Sequence, residues 1–215
     1  ILYRLVGSEM CIRDRKYAIK LGEKTGAEGE TLVSVRSATD SFDVVMISST
    51  GKASRFACSR INATSRNTSG VWGIFTGNRK TSSRTGDGGH VVGMVATDDF
   101  ESEILTISKF GMAKRTRMGT AEEIPDIDNN GEHKRDKEGN LKYIKDGYTR
   151  TSPGAGGVMT MNVKAKDQSK FERKLNGCET VKDEIISVRM IPNLEDNVFL
   201  LTKKGMMIRV SAQQT

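Results

Sequence analysis

Cysteine, histidine, aromatic residues and long apolar runs are all scarce in this sequence, and each shortage narrows what the chain can be. Cys11, Cys58 and Cys178 are an odd number, widely spaced, with no Cys-x-x-Cys pair. With no signal peptide in view, that argues for a reducing cytoplasmic setting and against a disulfide scaffold. His90 and His133 are the only histidines and stand far apart, so a zinc site would need scattered ligands; they read as unrelated surface or loop residues. No run of about 18 apolar residues exists, so no membrane span is expected. Aromatics make up 6% and do not alternate with basic residues, which disfavours a stacking platform for single-stranded nucleic acid. Gly86-Asp87-Gly88-Gly89 lacks both the Lys-Ser/Thr of a P-loop and the spacing of a dinucleotide fingerprint. No Ser-His-Asp or Cys-His set has a recognisable local context. The chain is therefore read as having no active site, no metal and no cofactor of its own.

What the chain does have is a phrase said three times. It runs Asp43-Val-Val-Met-Ile-Ser48, two loop residues, Gly51 and then Arg55. It recurs as Glu103 to Ser108, Gly111 and Arg115, and as Asn197 to Thr202, Gly205 and Arg209. The apolar runs are too short for a stable helix and rich in β-branched side chains, which suits a buried strand. The tight return needs a residue with positive φ, which glycine supplies without steric cost. Each phrase therefore predicts a β-hairpin, with Arg55, Arg115 and Arg209 at the same place on the returning strand and emerging on equivalent faces. A second apolar stretch precedes each hairpin: Leu32 to Val35, Val91 to Met94 and Ile185 to Val188. Three matched copies predict an all-β fold of repeated units.

Charge is uneven. The net charge is +7, and residues 122–147 hold eight acids against five bases. That stretch takes −3 from the total of +7 and leaves the remainder at +10. A basic β-body with an acidic excursion points to a polyanionic partner; a soluble protein with many exposed lysines is the plainer alternative.

In chain order, residues 1–15 do not fit the repeats. Val6 to Arg15 resembles a translated sequencing-adapter read-through, and the sequence is read as a piece of a longer protein with this head set aside. Residues 16–30 end one unit, 31–74 and 90–163 form two more, and 184–215 are part of another. Within 31–74 a short strand is expected at Val71 to Ile74, after a basic crossing loop. Phe75 to Gly89 is a Gly/Ser/Thr-rich linker with Arg79, Lys80 and Arg84, and Lys164 to Asn176 is a basic connection. In the excursion, Asp126-Ile-Asp128-Asn-Asn-Gly131 opens like a calcium loop. Its twelfth position is Lys137 where a bidentate acid is needed, so a solvated hairpin tip is expected.

Recurring bases on successive units would form a stripe that neutralises duplex backbone without reading sequence. The candidates are Lys52, Arg55, Arg60, Arg66, Lys109, Lys114, Arg115, Arg117, Lys203, Lys204 and Arg209. Charges on edge strands that prevent aggregation are the alternative for each of them.

The hairpin phrase, with a basic crossing loop after it that ends in Gly70-Val71 or Gly157-Val158, resembles the C-terminal domain of the bacterial DNA gyrase A subunit. Particularly similar are Gly51 to Phe56, Ser65 to Ile74, Val91 to Met94 and Ile104 to Thr116, and the likeness covers about residues 16–121 and 148–215. The A subunit of topoisomerase IV has the same kind of domain. The resemblance implies a β-pinwheel, a propeller-like disc of four-stranded blades whose basic rim bends duplex DNA. The partners it implies are the remainder of an A subunit, together with an ATPase B subunit, in a topoisomerase heterotetramer whose supercoiling is driven by ATP. The family's box of Gln, basic residues and glycines would fall nearest Thr151–Gly157, which holds no base. Tyr148-Thr149 is only superficially similar to the cleavage-site pair, because no Arg precedes it. A propeller scaffold for protein partners stays open. So does a propeller enzyme using inward acids, for which Asp98, Asp99, Glu101 and Glu103 are the only acidic knot outside the excursion.

Overall fold

The computed structural model describes residues 18–19, 21, 31–65, 68, 70–76, 89–163, 173–174, 180–181 and 183–215. The head 1–15, most of residues 16–30, the linker bases at 79, 80 and 84, and most of the connection 164–176 lie outside the described residues. The chain divides into a small unit, Ile1–Leu32 with Asn62–Val71, and a large one, Val33–Ile61 with Trp72–Thr215. In the small unit Thr68 Oγ1 donates to the Ser65 carbonyl at 2.8 Å and meets Thr64 Oγ1 at 3.0 Å. The strands, the cores and the hairpins all belong to the large unit.

Each repeated phrase is an antiparallel hairpin. The pairs are β1 (Asp43–Ser48) with β2 (Lys52–Ala57), β4 (Glu103–Ser108) with β5 (Ala113–Arg117), and β12 (Asn197–Leu201) with β13 (Met207–Ser211). The constant residues of the phrase explain the turn. Gly51, Gly111 and Gly205 have φ of 81°, 85° and 85°, the left-handed region that strains any L side chain. The constant Ser or Thr latches the loop: the hydroxyls of Ser48, Ser108 and Thr202 accept the N–H four residues on, at 3.3, 3.2 and 3.0 Å.

The apolar stretch before each hairpin does not pair with the hairpin after it. β3 (Val91–Thr97) pairs with β1 of the preceding unit, and β11 (Ile185–Ile191) pairs with β4, in matching registers with a bulge at the same place. The sheets therefore cross the unit boundaries drawn from the sequence. With β8 (Val158–Met159), one sheet is four-stranded in the order β3-β1-β2-β8, and another is three-stranded, β11-β4-β5. Short β9 (Arg173–Lys174) and β10 (Thr180–Val181) pair only with each other. The link Asp98 to Ser102 is shaped to leave the sheet, with the Asp99 N–H held by Thr97 Oγ1 and Ser102 Oγ donating back to the Asp99 carbonyl. Two expected strands differ. Residues 33–35 join no ladder among the described residues, and Trp72 to Ile74 is loop, tied to the turn at Pro153 and Gly154 by the Gly154 N–H to Gly73 carbonyl bond of 3.0 Å.

The two large sheets share one core. Val45, Ile47, Ala53 and Val95 of the first meet Ile104, Ile185 and Val188 of the second, with Met118, Tyr148, Met161 and Val163 closing the cluster. A second cluster, Leu105, Ile191 and Ala212, joins the three-stranded sheet to the last hairpin. Tyr148 is buried with its hydroxyl 2.9 Å from Thr160 Oγ1, so it is a core residue; burial pushes its phenol pKa up.

The acidic excursion has an architecture that its charge pattern did not disclose. β6 (Glu123–Pro125) pairs with β7 (Tyr143–Lys145), and two further short arms project between them. Three arms meet at residues eight apart. Asp126 N–H donates to the Lys142 carbonyl at 2.9 Å, Lys142 N–H to Lys134 at 2.9 Å, and Lys134 N–H to Asp126 at 2.7 Å. The two outer tips are alike: Asp128 Oδ1 accepts from Asn130 and Glu132, and Asp136 Oδ1 accepts from Glu138 and Asn140. The carboxylate at the junction, Asp126, is bound by Lys134 Nζ at 2.7 Å and Lys142 Nζ at 2.9 Å. The calcium-like string thus spends its acids on lysines and backbone N–H groups.

The turn glycines and the acidic junction are each open to test. A Cβ on Gly51 would fall 1.9 Å from the Met161 carbonyl oxygen, whereas one on Gly111 or Gly205 would meet nothing within 4 Å. Gly111→Ala and Gly205→Ala are expected to cost about 1–2 kcal/mol from backbone strain alone. Gly51→Ala is expected to cost roughly 1–3 kcal/mol more, because it must also displace a backbone carbonyl; equal urea midpoints for the three variants would refute that difference. At the junction the variable is pH. Lys134, then Lys142, hold the Asp126 carboxyl below the usual range, and Asn140 N–H does the same for Asp136. A lowered folded-state pKa stabilises at pH above the ordinary Asp value of about 3.9 and is lost as pH falls through the lowered value. Amide exchange protection across 123–145 should therefore hold from neutral pH to about 5 and fade below about 4; protection unchanged at pH 2 would contradict it.

Candidate nucleic-acid interface

The eleven expected contact residues separate by what already engages them. Arg55 is fully buried. Its Nε and Nη2 both lie 2.7 Å from Asp43 Oδ2. Its Nη1 stands 2.8 Å from the Met118 and Gly119 carbonyls and 2.9 Å from that of Tyr148. The ring of Phe100 packs 5.4 Å from its guanidinium carbon. Desolvation lowers its pKa and the bond to Asp43 opposes that, so the side chain is a paired core cation. Arg55 cannot touch a nucleic acid, which corrects the reading from sequence. Position alone put it beside Arg115 and Arg209; depth, which depends on what packs outside the strand, could not be read from one phrase.

The same arrangement recurs one unit on. Arg115 Nη1 meets Glu103 Oε2 at 3.0 Å, and its Nη2 donates to the Gln213 carbonyl at 3.3 Å. Glu103 is the counterpart of Asp43, and Gln213 the counterpart of Gly119. In the first two phrases the opening acid and the closing arginine are thus a pair twelve residues apart, and the arginine also caps a carbonyl leaving the next hairpin. Arg115 is mostly covered and committed to that work. In the third copy the acid is Asn197, and exposed Arg209 lies over the Phe199 ring at 5.8 Å.

Other candidates are engaged at the surface. Lys109 pairs with Glu184 at 3.0 Å, Arg117 with Glu101, and Lys114 Nζ donates to the Thr160 carbonyl. Pairs this exposed contribute little to stability, but they cancel charge that would otherwise face a polyanion. Arg66 lies outside the described residues. Exposed with no acidic partner among the described residues are Lys52, Arg60, Lys203 and Lys204, together with Arg209. The three lysines sit at hairpin turns, as does Lys109, so the turn of each of the three repeated hairpins carries at least one. Sequence reasoning missed Arg150, whose Nε also binds Asp43 Oδ2 at 3.0 Å and whose guanidinium lies 5.9 Å from Phe100. Its only sequence signal was its place two residues before the Ser-Pro turn. The segment Thr151–Gly157 is packing surface: Thr151 N–H and Oγ1 both bond the Arg55 carbonyl, and Ser54 Oγ meets Thr151 Oγ1 at 2.9 Å.

Comparison with known proteins agrees with this architecture. A family model described as the DNA gyrase C-terminal domain, β-propeller, matches residues 43–98, 102–131 and 196–214, which include all three hairpins. Over those residues the chain is similar to that domain. It is 38% identical over 93 residues to the DNA gyrase A subunit of Deinococcus deserti, a match that takes in 42% of this chain and 11% of the relative. The chain thus spans about a tenth of the length of that curated relative. Among solved structures, the C-terminal domain of DNA topoisomerase IV aligns at 13% identity with a TM-score of 0.47, covering 80% of this chain and 37% of the other. A DNA gyrase A C-terminal domain aligns at 18% identity with a TM-score of 0.40, covering 69% and 33%. The sheets described above are those of a β-pinwheel, and no helix among the described residues is long and apolar enough to cross a membrane.

If Arg55 joins neighbouring elements, its loss should act on stability before it acts on any ligand. Arg55→Leu, which leaves Asp43 buried beside Arg150 alone, is expected to cost about 3–5 kcal/mol in urea denaturation. Lys52→Ala, on an exposed tip, should stay within about 0.5 kcal/mol of the unmodified chain. Similar losses for both would show that the buried pair carries no special share.

Proposed function

We propose that this chain is a non-catalytic module that binds duplex DNA through its backbone and helps to wrap it, within the A subunit of a type IIA topoisomerase of the gyrase kind. The reading is carried by one observation: on the family's fold, the turns of all three repeated hairpins bear lysine, and those at 52, 203 and 204 have no acidic partner among the described residues. Point charges at recurrent tips suit phosphate, which is spaced regularly along a duplex and asks for no particular base. Arg60, beyond the end of β2 away from the turn, is a further exposed base with no acidic partner among the described residues. The arginines of the phrase serve the wrapping reading differently. Bending stiff DNA costs several kcal/mol, and a body whose units are joined by paired arginines can hold its shape against that load.

In this reading the ATP-driven supercoiling and the strand cleavage belong to the rest of the A subunit, with an ATPase B subunit beside it in the cytoplasm. Likewise, the chain brings no cofactor. The test is the affinity of the 215-residue chain for a linear duplex of unrelated sequence across a range of salt. Log affinity should fall linearly with log salt, and each lysine that contacts a phosphate should account for about 0.9 of the slope. The triple variant Lys52→Ala, Lys203→Ala, Lys204→Ala should flatten the slope by up to about 3. A folded sample whose weak binding ignores salt would remove the proposal.

A further inference from the structure

One cation joins the buried framework from its outer side. Arg150 opens the segment that lies along β2, where it bridges to Arg55 and where the Thr151 N–H donates to the Arg55 carbonyl at 2.6 Å. Its Nε reaches the oxygen that also holds Arg55, Asp43 Oδ2, at 3.0 Å. Yet the Arg150 side chain is 52% exposed, against 2% for Asp43 and 0% for Arg55. Phe100 serves both guanidiniums, its ring lying 5.9 Å from that of Arg150 and 5.4 Å from that of Arg55.

The charges of this cluster do not cancel. A single carboxylate stands between two guanidiniums, which leaves one positive charge unmatched. Arg55 has the stronger claim on that carboxylate, because it has no water to turn to. The other acid that Arg55 feels, Asp146, is engaged by the Thr120 N–H and hydroxyl at 2.8 and 3.2 Å, with Arg117 at 3.9 Å. The surplus therefore rests on the exposed member, Arg150.

Geometry decides what that surplus can do. With Nε bound to a buried carboxylate and an aromatic ring beside the guanidinium, the side chain has already lost much of the freedom that binding would cost a surface arginine. Its two Nη groups have no acceptor among the described residues. A guanidinium tied at Nε and open at both Nη atoms presents a planar fork, the shape that two oxygens of one phosphate match.

We propose that Arg150 is a pre-oriented phosphate clamp for the duplex backbone, held in direction by Asp43 and Phe100. The inference rests on the reading of the chain as a duplex-binding module. Tip lysines supply point charge on flexible stems, whereas Arg150 supplies direction, since a phosphate must meet both of its Nη groups at once. Phosphate contacts set how a protein is seated on a duplex. A contact anchored in the cluster that joins neighbouring elements would seat the duplex on the framework itself.

Affinity of the 215-residue chain for a linear duplex, measured across salt, separates direction from charge. Arg150→Gln should lower affinity about tenfold and flatten the salt slope by about 0.9, because one charged phosphate contact is gone. Arg150→Lys should keep the slope and still lower affinity about threefold, because the charge returns without the fork. Both variants should unfold at the parent's urea midpoint, since Asp43 keeps Arg55. A lowered midpoint with unchanged affinity would make Arg150 a structural cation and overturn the proposal, as would an Arg150→Lys variant that binds like the parent. A parent that binds steeply with salt while Arg150→Gln matches it would overturn this inference alone. A parent that binds weakly and ignores salt would overturn the duplex reading, and this inference with it.

Discussion

Asp43 and Arg55 form a buried ion pair on which the order of this molecule depends. A guanidinium out of water is tolerable only where its charge is matched and most of its donors are engaged. Here one carboxylate supplies the charge, three carbonyls supply acceptors, and an aromatic ring fills the remaining face. Those partners come from four places in sequence: the start of the same hairpin, the link that leads to the next one, the exit of that next hairpin, and the segment that returns from the acidic excursion. Lysine could not substitute, because a single ammonium cannot address a carboxylate and several carbonyls in fixed directions at once. The requirement explains why arginine, and not merely a base, ends the first two phrases.

The pair also decides how the basic charge is divided. A chain with a net charge of +7 could have shown all its cations to solvent, and the recurrence of arginine encouraged that view. Instead the deepest cations hold units together, several shallower ones are neutralised by acids, and those left unpaired cluster at turns. Turns are where a lysine costs the fold least, since its stem needs no packing and its charge stays hydrated. A surface for a polyanion and a framework of joined units can therefore share one repeat, with arginine in the framework and lysine at the tips.

How much of this could be read from the sequence depends on range. The hairpins were legible because turn glycine, latching hydroxyl and apolar run all lie within about a dozen residues and act locally. The lent strands were visible as apolar stretches, but their partners were not. A stretch such as Val91 to Met94 has the same composition whether it pairs forward or back, and only the Asp98 to Ser102 link chooses. Depth was invisible for the same reason: Arg55 and Arg209 occupy one position in one phrase, and what separates them is whether another unit packs outside. The excursion hid a short period, Asp128 to Gly131 repeated at Asp136 to Gly139, beneath a resemblance to a calcium loop.

Strand lending has a thermodynamic consequence that a row of self-contained sheets would lack. A hairpin alone is marginal in water, so each unit here owes part of its stability to the leading strand of the next. The arginine adds a second tie in the same direction, from one hairpin to the exit of its successor. Stability in such a chain is carried by nearest-neighbour terms more than by any unit on its own, and the last hairpin, with Phe199 and Leu201 still in water, shows what one missing neighbour removes. The two ties differ in what they resist. A lent strand fixes register along the sheet and buries apolar surface, while the arginine reaches across to the next element and resists separation. A body that must keep its curvature under the restoring force of bent DNA needs resistance to both sliding and separation, and the repeat encodes one device for each.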